Sequence, residues 1–261
     1  MFDVVVLAGG DNPQFADPAR PGPMLEALVD IDGRPMVVYV TDALAACPEV
    51  EKIFVVGPKD RLAACPFGPA VTVVEGGDSI FSTAAKGLSM VDGDRLTLVA
   101  TSDIPLLTPE AVADFLRQAA PLEAEFCYPI VTKDTCERQF PGVRRTYVRL
   151  REGVFTGGNL FLVRPSVIKR CQRAAEEIIA RRKNPLALCR LLGWRFVLGL
   201  LLGRLELSDL EKCVSALLQL NGRVLISHYA EIGLDVDKPS DLTLVRQAAR
   251  RLRASDSPST G

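Results

Sequence analysis

The start of the chain is its most constraining feature. Val4, Val5, Val6 and Leu7 form an apolar run that stops at the small-residue elbow Ala8, Gly9, Gly10. A run this short, valine-rich and bounded by glycine, predicts a strand buried on both faces of a parallel sheet. The glycines remove side chains where the strand ends, so backbone N–H groups there can approach an anion closely. An ordinary tight strand-to-helix turn has the same composition, and two glycines alone do not separate the two readings.

The pattern then repeats. Lys52 to Val56, Val71 to Glu75 and Arg95 to Thr101 read as further buried strands. Residues 11–23 contain four prolines and read as a loop. Met24 to Gly33 carries a short strand ending in an Asp-Gly turn, and Pro35 opens a helix to about Cys47. Gly76 to Ile80 opens a helix capped by Asp78 or Ser79, and Thr108 caps another before Pro109. Strand alternating with helix predicts an α/β fold: three layers, α/β/α, around a mostly parallel, Rossmann-like mixed sheet.

The second half is less regular. Glu125 to Val131 and Leu160 to Val163 read as strands, and Thr146 to Arg151 as an exposed or edge strand. Lys133 to Arg145 is polar and carries Arg138, Arg144 and Arg145. Ser166 to about Lys183 predicts a helix and 184–220 is mostly helical, which makes 166–220 a helical insertion. A strand at Val224 to Ile226, an extended stretch from Ile232 to Asp237 and a helix from Pro239 to Arg253 follow. One domain over 1–254 and a polar tail over 255–261 are expected.

Composition excludes several functions. A length of 261 residues suits one large α/β domain or two small ones. A net charge of −1 gives no general attraction for nucleic acid. Seven scattered cysteines without a CxxC pair, and the single histidine His228, argue against a zinc site. An odd cysteine count without a secretory signal implies reduced thiols and a cytoplasmic location. No run reaches the ~18 apolar residues of a membrane-spanning helix.

The acidic residues suggest chemistry. Asp103 follows a hydrophobic strand, where an open α/β sheet places its ligands, and its carboxylate can hold Mg2+ through oxygen. Alternatively it caps the turn before Pro105. Asp235 and Asp237 alternate on an extended segment, so their side chains are expected on one face as a metal ligand with a spare. Asp237 equally suits the cap of the last helix.

Together these pieces resemble a known family. The segments Leu7 to Gly10, Thr101 to Leu106, Thr156 to Asn159 and Asp235 to Leu242 occur in the order seen in GT-A-like nucleotidyltransferases. The branch most similar is that of the molybdenum-cofactor guanylyltransferases. Sugar-1-phosphate nucleotidyltransferases and the cytidylyltransferase of isoprenoid synthesis share the plan. The resemblance implies a GT-A-type fold and transfer of NMP from an NTP to a small phosphorylated acceptor, with Mg2+ and release of pyrophosphate. It implies nucleotide binding by Leu7, Ala8, Gly9, Gly10, Gly77, Asp78, Ser79 and Ser102. It implies metal binding by Asp103 and Asp237 or Asp235, and an acceptor near Gly157, Gly158 and Asn159. An acceptor phosphate is already ionised, so such transfer needs no general base.

The chain departs from the family pattern at its cations. Relatives carry a basic residue soon after Gly-Gly and a lysine before the second strand. Here Asp11 to Phe15 holds no base, Glu26 takes the lysine's place, and Arg20 is the nearby cation expected to substitute as a catalytic group. Two other functions stay open: a GT-A glycosyltransferase using a nucleotide-sugar, and a nucleotide-binding protein with weak catalysis. The basic stretch 169–183 reads as a solvated helix face or an anionic rim. Phe196 to Leu202 reads as a buried core helix, with a membrane-surface or homodimer contact as the alternative.

Overall fold

The computed structural model describes residues 1–15, 24–181 and 193–255. Val4, Val5 and Val6 are fully buried in β1 (Phe2–Leu7), which pairs in parallel with β4 (Val50–Gly57) on one side and β6 (Thr97–Thr101) on the other. Alternation sends Val4 and Val6 to one face and Val5 to the other. Both faces are covered, which is why the strand is apolar throughout.

α1 (Met36–Ala45) and α4 (Pro109–Ala119) cover the Val4 face through Val37, Val40, Leu44, Val112 and Leu116. α3 (Ile80–Leu88) and α6 (Pro165–Arg181) cover the Val5 face through Phe81, Leu88, Val167 and Cys171. The expected three layers are therefore present.

β5 (Val71–Glu75) extends the parallel half beyond β4, with the short α2 (Lys59–Leu62) between them in sequence. On the other side β10 (Leu160–Val163) runs antiparallel to β6 and to β7 (Phe126–Thr132). β7 also pairs antiparallel with β9 (Gly153–Gly157), which pairs with β8 (Val148–Leu150), and in parallel with β11 (Gly222–Ser227). The sheet is mixed but parallel from β5 through β4 and β1 to β6. A separate hairpin joins β2 (Asp30–Ile31) to β3 (Arg34–Pro35). Its turn residues Asp32 and Gly33 have φ of 50° and 86°, which suits the Asp-Gly sequence. α9 (Pro239–Ser255) packs on it through Leu242 and Val245 against Val29, Ile31 and Met36.

The polar stretch after β7, to which the sequence assigned no element, contains a helix, α5 (Lys133–Gln139), because the Thr132 hydroxyl accepts from Thr135 N and the turn buries Thr135 and Cys136. Two expectations need correction. Residues Ala230–Gly233, partly expected as extended, form a 3-10 turn. The apolar patch forms α7 (Trp194–Leu201), which is not a core helix. Leu200 packs with Leu150 and Phe155, while Trp194 is 69% and Leu201 78% exposed. An edge position beside β8 covers one flank of a short helix and leaves the other open. Among the described residues α8 (Leu207–Leu218) is the last helix before β11. Arg20, part of the basic stretch 169–183 and the tail beyond 255 lie outside the described residues.

Candidate active site

The carboxyl ends of β1 and β6 open into a cavity of about 630 Å³. The elbow after β1 forms its floor. Ala8 N donates to Val56 O at 2.8 Å and Glu26 N donates to Gly10 O at 2.9 Å, so the elbow is held on both sides. Among the described residues the N–H groups of Gly9 and Gly10 have no partner, and both glycines line the cavity. Open donors at a strand end are suited to phosphate oxygens. Ala8 is fully buried beneath them and does not line the cavity.

The opposite wall is the start of α3. The Ser79 hydroxyl accepts from Ser82 N at 3.1 Å, and Ser82 Oγ accepts from Ser79 N at 2.9 Å, a reciprocal cap. Gly77, Asp78 and Ser79 line this wall. Gly77 N–H is already used, donating to Thr83 Oγ1 at 3.1 Å.

Backbone contacts assemble the acidic centre from distant segments. Ser102 N donates to Leu7 O at 3.2 Å, which sets Ser102 and Asp103 beside the elbow. Val236 N donates to Asp103 O at 2.9 Å, which pins Asp235 to Asp237 against Asp103. Asn12 Nδ2 donates to Glu26 Oε1 at 2.8 Å and to Asp237 O at 3.1 Å. One oxygen from each of Glu26, Asp103 and Asp237 thereby lies within 4.8 Å of the others. The Thr101 hydroxyl donates to Asp103 Oδ1.

Crowding and burial shape the charges. Burial pushes the Glu26 carboxyl up to about 7, against the hydrogen bond from Asn12, with further increments from Asp103 and Asp237. Burial also raises Asp103. Six carboxylates line the cavity, from Asp11, Glu26, Asp78, Asp103, Asp235 and Asp237, and no basic side chain among the described residues does. Arg61 reaches the rim through Asp11 at 3.3 Å. A divalent cation would relieve this repulsion, and carboxylate oxygens are hard donors of the kind that Mg2+ favours.

Asp235 has another partner. It lines the cavity, but it forms an ion pair with Arg145 and stands outside the three-carboxylate cluster. Its expected role as spare metal ligand therefore gives way to holding Arg145. Of the expected acceptor residues, Asn159 lines the cavity, while Gly157 and Gly158 do not. A Cβ on Gly157 would run into Tyr128 Oη, and one on Gly158 would lie 2.7 Å from Ile232 Cγ2, so both are sites of close packing. Sequence reasoning read Glu26 only as a lost lysine. Its place among the carboxylates depends on Asn12, a residue the sequence did not single out.

The fold agrees with comparisons to known proteins. No curated protein matches the chain significantly. A solved structure from Thermus thermophilus, described as a hypothetical transferase, is 40% identical over 92% of this chain and 99% of that one, with a TM-score of 0.79. The 2-C-methyl-D-erythritol 4-phosphate cytidylyltransferase of Thermus thermophilus shares the fold at 20% identity, covering 96% of this chain and 100% of that one, with a TM-score of 0.56. A CMP:2-keto-3-deoxy-manno-octonic acid synthetase solved with CTP shares it at 16% identity over 96% and 98%, with a TM-score of 0.61. The model of the MobA-like NTP transferase domain matches residues 4–197, from β1 into α7. The chain belongs to the family of MobA-like NTP transferase domains.

Proposed function

We propose that the chain transfers NMP from an NTP to a small phosphorylated acceptor, in the manner of molybdenum-cofactor guanylyltransferases, with Mg2+ held by Glu26, Asp103 and Asp237. The observation that carries this reading is that this cluster and the open N–H groups of Gly9 and Gly10 line one cavity. Gly9 and Gly10 bind phosphate oxygens of the NTP. Gly77, Asp78 and Ser79 flank the base and ribose, and Leu7 and Ser102 complete the floor. Glu26, Asp103 and Asp237 would hold Mg2+, which would supply positive charge for the α-phosphate.

The remaining work is positional. An acceptor phosphate oxygen forms a bond to the α-phosphorus, and the bond from that phosphorus to the bridging oxygen breaks. The electron pair leaves with pyrophosphate. Asn12 keeps Glu26 and Asp237 on the same side of the cavity, and Thr101 orients Asp103. No residue need take a proton from an ionised acceptor.

Glu26 in the lysine's place favours a second reading, in which the cavity binds nucleotide but turns over slowly. Pyrophosphate release decides between them. The full chain is given each NTP with Mg2+ and a panel of phosphorylated acceptors, including molybdopterin and sugar-1-phosphates. Release with one NTP and one acceptor, lost in Asp103→Ala, supports transfer. Tight NTP binding by thermal shift with silence across the panel supports the second reading.

A further inference from the structure

A second cavity, also of about 630 Å³, opens beside the first and shares Asp235 and Asp237 with it. It is lined by the 142–146 segment after α5, by Thr156 of β9 and by the start of α9. Three cations, Arg144, Arg145 and Lys238, and three carboxylates, Asp235, Asp237 and Asp241, face it. The carboxylates are committed. Asp235 pairs with Arg145, and Asp237 belongs to the metal cluster. Asp241 accepts from Lys238 N at 3.0 Å and from the Ser240 hydroxyl at 3.4 Å.

The cations are less committed. Among the described residues Arg144 and Lys238 have no ion-pair partner, and both side chains are exposed. Arg145 is only 14% exposed and its Nε is buried without a hydrogen-bond partner. This cavity therefore presents three cations beside its carboxylates, whereas the charged groups lining the first cavity are all carboxylates. Hydroxyls from Thr146, Thr156 and Ser240 stand among the cations.

We propose that this second cavity is the acceptor subsite and that Arg144, Arg145 and Lys238 bind the phosphate monoester of the acceptor. The inference rests on the nucleotidyltransferase reading given above. Two free cations and a clamped guanidinium match a dianion with three acceptor oxygens. Asp235 holds Arg145 at the boundary of the two cavities, so an anion bound to it lies toward the metal cluster and the α-phosphate. Positive charge absent from the nucleotide side is thus supplied from the acceptor side.

Calorimetry on the full chain tests this. α,β-Methylene analogues of the four NTPs are titrated first with Mg2+, and glycerol 3-phosphate is then titrated into the nucleotide-saturated chain, with glycerate as a carboxylate control. Glycerol 3-phosphate is expected to bind beside the nucleotide and more tightly than glycerate. Arg144→Ala and Lys238→Ala are each expected to weaken it about tenfold, the loss of one ion pair's worth of about 1.4 kcal/mol, with nucleotide affinity unchanged. Both positions are exposed, so the variants test binding rather than folding. Competition with the nucleotide, equal affinity in both variants, no preference over glycerate, or no binding up to about 10 mM overturns the assignment. If no analogue binds at all, the nucleotidyltransferase reading fails. Glycerol 3-phosphate binding to the free chain that is lost in Lys238→Ala then still supports a phosphate-monoester site in this cavity, without its role as acceptor subsite.

Discussion

Asp235 and Asp237 are separated by one residue and face different partners: Asp235 pairs with Arg145, while Asp237 joins Glu26 and Asp103. A spacing of two on an extended segment predicts a shared face. Here both side chains line the same two cavities, with the Val236 N–H donating to Asp103 O at 2.9 Å and Asn12 holding the Asp237 carbonyl at 3.1 Å, and what differs is the partner each carboxylate meets. Their substitutions should therefore differ in kind. Asp237→Asn is expected to lower kcat by about 10²–10³, the scale of losing one preorganised charge at the transition state. Asp235→Asn is expected to raise the acceptor KM through Arg145 with metal affinity unchanged. Steady-state kinetics with Mn2+ binding measured in parallel checks both, and equal loss of metal affinity in the two variants would remove the distinction.

Glu26 gives a prediction in metal binding and pH. Its carboxyl titrates at about 7, raised by burial, so it is protonated below that value and ionised above it. A cation bound there must displace the proton at lower pH. Apparent Mn2+ affinity is therefore expected to fall as pH drops from about 8 to about 6. Glu26→Gln should weaken binding about tenfold at the upper end of that range and flatten the dependence, since the variant has no proton to displace. Calorimetry in buffers of different ionisation heat reads the proton count directly. A steep pH dependence surviving in Glu26→Gln would assign the proton to Asp103 instead.

The parts that sequence made legible are those dictated by local physics. Val4 to Leu7 could only be a doubly buried strand, and Thr108 before Pro109 and Ser79 before α3 are caps with their partners three residues on. α5 escaped because its seven residues are mostly polar and its stability comes from Thr132 and from burial of Cys136, not from periodicity. The exposure of Trp194 and Leu201 escaped because an apolar run does not reveal whether it ends at a sheet edge. The cluster around Glu26 escaped for a third reason: Asn12, Glu26, Asp103 and Asp237 come from four separate segments, joined by backbone contacts that no single window of sequence contains.

Gly158 separates packing from acceptor binding. Its N–H donates to Pro129 O at 2.9 Å and its carbonyl accepts from Tyr128 Oη at 3.0 Å. A Cβ would meet Ile232 Cγ2 at 2.7 Å and Pro129 Cγ at 2.9 Å. Gly158→Ala is therefore expected to cost about 1–3 kcal/mol of stability by overpacking. The folded variant should keep the wild-type acceptor KM. Denaturant unfolding and kinetics below the melting point check the two halves. A raised KM with unchanged stability would return Gly158 to the acceptor site.

Glu231 sets a stability that depends on pH. Its carboxylate is buried and accepts from the Thr108 hydroxyl at 2.7 Å, and that hydroxyl also caps α4 by accepting from Ala111 N at 3.2 Å. Burial raises the Glu231 pKa above its ordinary value of 4.5, outweighing the Thr108 hydrogen bond. The folded state then holds its proton more tightly than the unfolded state. By linkage the contribution is complete below about 4.5 and is lost as pH rises through the folded value. A neutral amide at the same place still accepts from Thr108 and has no charge to bury. Glu231→Gln is expected to match the wild type near pH ~4 and to melt about 2–4 °C higher near pH ~8, the shift produced by about 1 kcal/mol in a chain of this size. Thermal unfolding of both proteins across that range gives the difference curve, in which titration of the other carboxylates cancels. A difference that is flat with pH would mean that the Glu231 proton plays no part in stability.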